Sequence, residues 1–151
     1  MKIYLDVSCL DRPFDDQGQM RIRLEAEAVT STLEQCERSD WQQVSSEIAK
    51  IEIDAMPDAD RRARVKLLLP AEAAMLELTE ENFARAKVLQ TLGFKSADAL
   101  HVAAAENLGA DVLLSCDDRL CRLARRCRAQ LKVHVANPLD WLKEIGHATD
   151  A

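Results

Sequence analysis

Aromatic side chains make up only 4% of this 151-residue sequence, and glycine and proline number four each. So few aromatics exclude the broad base stacking of sheet-platform RNA binders. So few turn formers predict a chain dominated by helix. No apolar run approaches the roughly 20 residues that cross a bilayer. An acid, Asp6, arrives too early for the apolar stretch of a signal peptide, so a cytoplasmic location is expected. Five cysteines (Cys9, Cys36, Cys116, Cys121 and Cys127) are an odd number with no Cys-x-x-Cys spacing. That argues against a disulfide framework or a zinc knuckle and for buried thiols in a reducing compartment. Basic side chains are outnumbered 20 to 26, a net charge of −6, which taken alone is the wrong sign for a nucleic-acid binder.

What remains is ordinary globular material, 48% apolar and 30% charged. A chain of this length buries roughly 68–70% of its unfolded surface without a staple. One domain is expected over residues 1–145, with a frayed tail over 146–151. Lys2–Val7 and Asp111–Ser115 read as buried strands, and Trp41–Ser45, Ala74–Leu78 and Leu131–Val135 as shorter ones. Asp11–Gln19 is turn chemistry. Helices are expected from Arg21 to about Arg38, from a Ser46 cap to about Met56, and from an Asp58 cap to about Leu69. Others run from Glu80 to Leu92 behind Thr79, from a Ser96 cap to Leu108, from Asp117 or Asp118 to about Arg128, and from Leu139 to Ile145. Strands separated by helices need crossover connections, so the fold class is α/β, three layers around a mainly parallel sheet.

Ligands of such a sheet bind outside the carboxyl ends of its strands. Asp6 closes KIYL and Asp117 follows VLLSC, so both stand at that edge as cap residues or as ligands. Glu52 is sharper. Its helical neighbours Ile48, Ala49, Ala55 and Met56 are all apolar, and a carboxylate there needs an arginine or a metal. Glu47, with Lys50 at i+3, reads instead as a solvated acid. Asp98 lies in the first turn of its helix on a face shared with His101, Val102 and Ala105; His101 reads as a packing histidine more readily than as a ligand. Two carboxylates about 4 Å apart repel by about 4 kcal/mol at an effective dielectric near 20. Four at one edge therefore call for a hard divalent cation, Mg²⁺ or Mn²⁺, which takes oxygen ligands and keeps waters for a phosphate. Ser8 and Ser115 flank the strand-end aspartates as possible support, as does Asp118.

Read together, these motifs resemble the PIN domain, in particular the VapC-like toxin ribonucleases of type II toxin–antitoxin systems. KIYLDVSCL is similar to that family's first strand, VSSEIAKIEI to the helix bearing the second acid, and KSADALHVAAA to its Asp-Ala-Leu-His stretch. VLLSCDDRL resembles its strand-plus-turn pattern and NPLDWL its ending. The resemblance implies a three-layer α/β/α fold with a short, mainly parallel sheet. It implies that Asp6, Glu52, Asp98 and Asp117 (preferred by register to Asp118 beside it) are the metal-binding, catalytic acids of a Mg²⁺- or Mn²⁺-dependent endoribonuclease, a hydrolase whose metal-activated water cuts RNA. A homodimer restrained by a cognate antitoxin is implied as well. One position departs: threonine usually follows the first aspartate, and here Val7 does, leaving Ser8 as the nearest hydroxyl. That departure keeps open a catalytically weak or inactive PIN-like module that binds RNA or protein. An Asp-nucleophile phosphatase is disfavoured, because Asp6-Val7-Ser8 lacks the Asp-x-Asp it needs.

The net charge hides an asymmetry. Residues 1–118 carry 13 basic and 23 acidic side chains, whereas residues 119–151 carry 7 and 3. Arg119, Arg122, Arg125, Arg126, Arg128 and Lys132 follow the last acid of the set, with Leu120, Leu123, Ala124 and Cys127 forming the inward stripe. The arginines then face outward, as RNA-phosphate contacts (Arg119, Arg122 and Arg126 first) or as a solvated helix face. Arg85 and Lys87 are candidates to extend the patch.

Overall fold

The computed structural model describes residues 1–150, with side chains through residue 146. Five strands form one sheet: β1 (Lys2–Leu5), β2 (Gln42–Ser46), β3 (Met75–Leu76), β4 (Val112–Leu114) and β5 (His134–Ala136). Every pairing is parallel, in the order β3-β2-β1-β4-β5. The helices are α1 (Val7–Asp11), α2 (Met20–Arg38), α3 (Glu47–Asp54), α4 (Ala59–Lys66), α5 (Glu80–Thr91), α6 (Ser96–Asn107), α7 (Asp118–Arg126) and α8 (Pro138–Asp150).

Side chains on successive strand residues point to opposite faces, and this alternation divides the core in two. Tyr4 and Leu113 pack with Leu89, Val102 and Leu123 of α5, α6 and α7. Ile3, Leu5, Val112 and Leu114 pack with Val29, Ile53, Val65 and Trp141 of α2, α3, α4 and α8. The sheet is thus buried on both sides, which is why β1 and β4 read as apolar runs. β1 is central. The chain leaves it for β2 on one side and reaches β4 on the other only after β3, so the carboxyl end of β1 is the topological switch point.

Local signals explain most boundaries. Asp58 accepts from the N–H groups of Asp60 and Arg61, and Thr79 forms a reciprocal capping box with Asn82. Gly93 and Gly109 end α5 and α6 at φ of 112° and 67°, conformations that side-chain-bearing residues rarely adopt. All five cysteines are free thiols; Cys9, Cys116 and Cys121 are buried as expected, whereas Cys36 and Cys127 are partly exposed.

Several expectations need correction. β1 stops at Leu5, because Asp6 caps a short helix that takes in Val7. The segment after Asp11 is partly helical, with a 3₁₀ turn over Arg12–Phe14 around its proline. Ser46 occupies the cap position of α3, but its hydroxyl bonds Tyr4 across the sheet rather than α3. Lys95, not Ser96, precedes α6, and the Ser96 hydroxyl accepts from Gln90 Nε2 at 2.9 Å. The last strand is shifted to His134–Ala136, because a 3₁₀ turn at Arg128–Gln130 delays it. Backbone helix continues past Ile145 to Asp150. The side chains of the expected tail beyond Gly146, and Ala151, lie outside the described residues.

Candidate active site

The end of β1 is laced to the end of β4 by two serines. Asp6 Oδ1 accepts from Ser8 Oγ at 2.6 Å and from the Cys9 N–H at 3.0 Å, which makes Asp6 the cap of α1. The Asp6 N–H donates to Leu114 O at 3.0 Å. Ser8 Oγ also accepts from the Cys116 N–H at 2.9 Å and lies 3.3 Å from Ser115 Oγ. Ser115 Oγ accepts from the Asp117 N–H at 3.1 Å. The two serines thus bridge the ends of β1 and β4 between the two aspartates.

Asp117 Oδ1 accepts from the N–H groups of Arg119 (2.9 Å) and Leu120 (3.3 Å), so Asp117 is the cap of α7. Asp118 points elsewhere. It forms a bidentate pair with Arg21 of α2, which holds its carboxyl below the ordinary range. That engagement ties Asp118 to α2.

Glu52, on α3, meets His101 of α6 rather than an arginine, Oε1 accepting from Nε2. His101 is only 2% exposed, and its Nδ1 lies 2.6 Å from the Tyr4 hydroxyl. Glu47 is exposed as expected, but it accepts from the Leu78 N–H at 3.0 Å, while Lys50 pairs with Glu72 at 3.7 Å. Asp98 is half-buried at the start of α6 and has no hydrogen bond or ion pair among the described residues. Burial and the charges of Asp6, Asp117 and Glu52 push its carboxyl from 3.8 up to about 6, against the pull of His101. Burial also raises the Asp6 carboxyl, opposed by His101 and by its hydrogen bonds. Asp98 thus feels all three of the other acids: α1, α3, α6 and α7 deliver four carboxylates to one sheet edge.

These four, of which Asp6 is buried and Glu52, Asp98 and Asp117 are partly exposed, differ from a buried acid elsewhere. Glu25 of α2 is 1% exposed and is neutralised inside the protein, with Arg12 Nε at 3.2 Å, Arg21 Nε at 3.5 Å and the Asn137 amide donating to Oε2. No lysine ammonium or arginine guanidinium nitrogen lies within 4.0 Å of a carboxylate oxygen of Asp6, Glu52, Asp98 or Asp117 among the described residues. All four donors are hard oxygens, and their unmet charge fits a divalent cation. The side chains do not close into a preformed cage: among the described residues no three His, Cys, Asp or Glu groups stand at metal-binding distances. One oxygen each of Asp6, Glu52 and Asp117 is engaged by protein donors.

Sequence reading missed Glu25 and Tyr4. The spacing that flagged Glu52 also flags Glu25, whose neighbours Ile22, Ala28 and Val29 are apolar; Arg21 at i−4 is its partner. Tyr4 passed as one more apolar strand residue, although a buried phenol needs a partner.

Beyond the acids, Arg119, Arg122, Arg125 and Arg126 line one surface depression of about 360 Å³ on α7. Leu120, Leu123 and Ala124 are buried beneath them and Cys127 is partly buried, as the stripe required. Arg119 donates to Gly93 O at 3.3 Å. Arg122, Arg125 and Arg126 have no hydrogen bond or ion pair within the described residues. Arg85 does not extend this patch, because it is locked bidentately to Glu106 and donates to Gln130 O.

No helix among the described residues is long and apolar enough to cross a membrane. Comparison with curated proteins returns no match. The family model of the PIN domain, a nuclease-type fold, matches residues 4–126, a stretch that contains all four acids and α7 and leaves NPLDWL outside. An all-parallel five-stranded sheet with helices on both faces agrees with that match, and the chain belongs to the PIN-domain family.

Proposed function

We propose that this protein is a Mg²⁺- or Mn²⁺-dependent endoribonuclease of the VapC-like toxin type, with Asp6, Glu52, Asp98 and Asp117 as its metal-binding acids. The observation that carries this reading is a contrast in pairing: buried Glu25 has two arginine partners, whereas buried Asp6 and the partly exposed Glu52, Asp98 and Asp117 pair with no lysine or arginine side chain among the described residues. A divalent ion held there would polarise a phosphate oxygen and lower the pKa of a bound water. Asp6 is held by Ser8 and Cys9 for that task. Asp98 and Asp117 bring negative charge that excludes a bare phosphate, so substrate approach depends on cation binding. Arg122 and Arg126 supply free guanidinium groups for RNA phosphates, and Arg119, which begins beside Asp117, stands closest to the acids in sequence.

The proposed setting is cytoplasmic, with RNA as substrate, a homodimer as the working form and a cognate antitoxin as the restraint. The acidic remainder of the chain suits a basic antitoxin segment. The test is cleavage of a structured RNA with Mn²⁺ or Mg²⁺. EDTA is expected to abolish it and excess metal to restore it. Cleavage indifferent to EDTA would sink the proposal. A second reading, a PIN-like binding module without turnover, draws on Val7 and on the absence of a preformed cage. Its mark is RNA or partner binding with no metal-dependent product.

The arginine face yields a separate expectation. Arg119→Ala, Arg122→Ala and Arg126→Ala combined should flatten the salt dependence of RNA binding by about 2 in slope, near 0.7 per phosphate contact with single strands. The melting temperature should hold, because the depression is open to solvent. An unchanged slope, measured by filter binding across salt, would show the helix to be a solvated face.

A further inference from the structure

Behind Glu52 lies a hydrogen-bonded chain of three groups outside the acid set, Ser46, Tyr4 and His101. Ser46 Oγ is 2.7 Å from the Tyr4 hydroxyl, which is 2.6 Å from His101 Nδ1, and His101 Nε2 meets Glu52 Oε1. Tyr4 and Ser46 are 0% exposed, so neither can turn to solvent for a partner. The tyrosine and imidazole rings meet edge to face, 5.6 Å between centroids and 77° between planes.

The polarity of this chain follows from what each group can do. A carboxylate only accepts, so Nε2 carries the hydrogen. An imidazole with its hydrogen there and none on Nδ1 presents Nδ1 as an acceptor, and the phenol donates to it. The phenol oxygen then accepts from Ser46. Each link is satisfied in one direction, from the end of β2 through β1 and α6 to α3. His101 also lies three residues after Asp98 on the same helix, hence on the same face. The imidazole is therefore a strut between the helix carrying Asp98 and the helix carrying Glu52.

From this geometry we infer that His101 is a positioning residue. Its Nε2–H, with the tautomer fixed by Tyr4, holds Glu52 Oε1 and leaves Oε2 for the cation, setting the Glu52–Asp98 separation. The inference rests on the metal-nuclease reading above. Partners one shell out from a metal typically contribute 10–100-fold in affinity.

Two measurements test it. In metal-free wild-type protein, ¹⁵N spectra of labelled histidine should show His101 as the Nε2–H tautomer; the Nδ1–H form overturns the assignment. Calorimetric titration with Mn²⁺ should show His101→Asn, which cannot reach Glu52, weaker by about 10–100-fold. His101→Gln, which keeps an N–H at the ε position, should recover most of that loss. In cleavage assays the Asn variant should need more metal for half-activity while approaching the wild-type rate at saturating metal, which a general loss of folding would not produce. Equal Mn²⁺ affinity for wild type and His101→Asn overturns the positioning role; if Asp98→Asn abolishes Mn²⁺ binding in the same series, the metal-nuclease reading stands without it. A wild type that binds no Mn²⁺ overturns both. Should the histidine variants fail to fold, the wild-type tautomer decides.

Discussion

Asp6→Asn is expected to lower RNA cleavage by about a thousandfold, equivalent to about 4 kcal/mol of transition-state stabilisation, within the several kcal/mol that a bound Lewis acid contributes. The substitution is chosen so that little else changes. Asn keeps an oxygen that accepts the Cys9 N–H, and Asn and Asp cap helices about equally well. Ser8 keeps an acceptor at the same position. The charge that disappears is one that burial already disfavours, since the Asp6 carboxyl is held above its ordinary value. The variant should therefore fold at least as stably as wild type while Mn²⁺ binding weakens and turnover collapses. Single-turnover cleavage alongside thermal unfolding separates the two. Retained turnover at saturating Mn²⁺ would remove Asp6 from the catalytic set.

Neutralising two other acids should move stability in opposite directions. Glu25→Gln takes one of two carboxylate partners from each of Arg12 and Arg21, which keep Asp15 and Asp118. The expected loss is about 3 kcal/mol, the lower end for breaking a buried pair because Arg21 is largely exposed. For a chain of this size that is a fall of roughly 6–12 °C in melting temperature. Asp98→Asn should instead stabilise the metal-free protein. Its folded pKa, about 6, lies above the ordinary 3.8, so the folded state resists ionisation. That cost is fully present above about pH 6, fades as pH falls through the window, and is gone below about 4, where both states are protonated. Because Asp98 is only half-buried, solvent screening cuts the gain to about 1 kcal/mol at neutral pH. Thermal unfolding in EDTA at about pH 7.5 and about pH 4 reads both signs. A less stable Asp98→Asn at neutral pH would contradict the charge crowding at this edge. With saturating Mn²⁺ the order should reverse, because wild type alone gains from the ligand.

These contrasts also show where sequence reading worked. Strands buried on both faces announce themselves as apolar runs, so β1 and β4 were legible, and Asp6 and Asp117 with them. Helix caps are local chemistry, so Asp58 and Thr79 were legible too. Helical spacing separated Glu52 from Glu47, because one apolar neighbourhood differs visibly from one containing Lys50. The partners were another matter. Glu52 meets His101, 49 residues away, and Ser46 gives its hydroxyl to Tyr4, 42 residues away. Both pairings exist only once the sheet has formed. Tertiary competition also defeated the cap at Ser96. Glu25 was legible by the same rule as Glu52, but its arginine one turn away made it look like an ordinary surface pair.

The serine lacing at the sheet edge has a consequence in time. Ser8 and Ser115 meet although they are 107 residues apart. At 5–20 residues per second, a ribosome reaches the second roughly 5–20 s after the first. During that interval β1 lacks its β4 neighbour, and the edge holds neither Asp117 nor its arginine helix. The carboxylate cluster at this edge is therefore complete only when nearly all of the fold has left the exit tunnel.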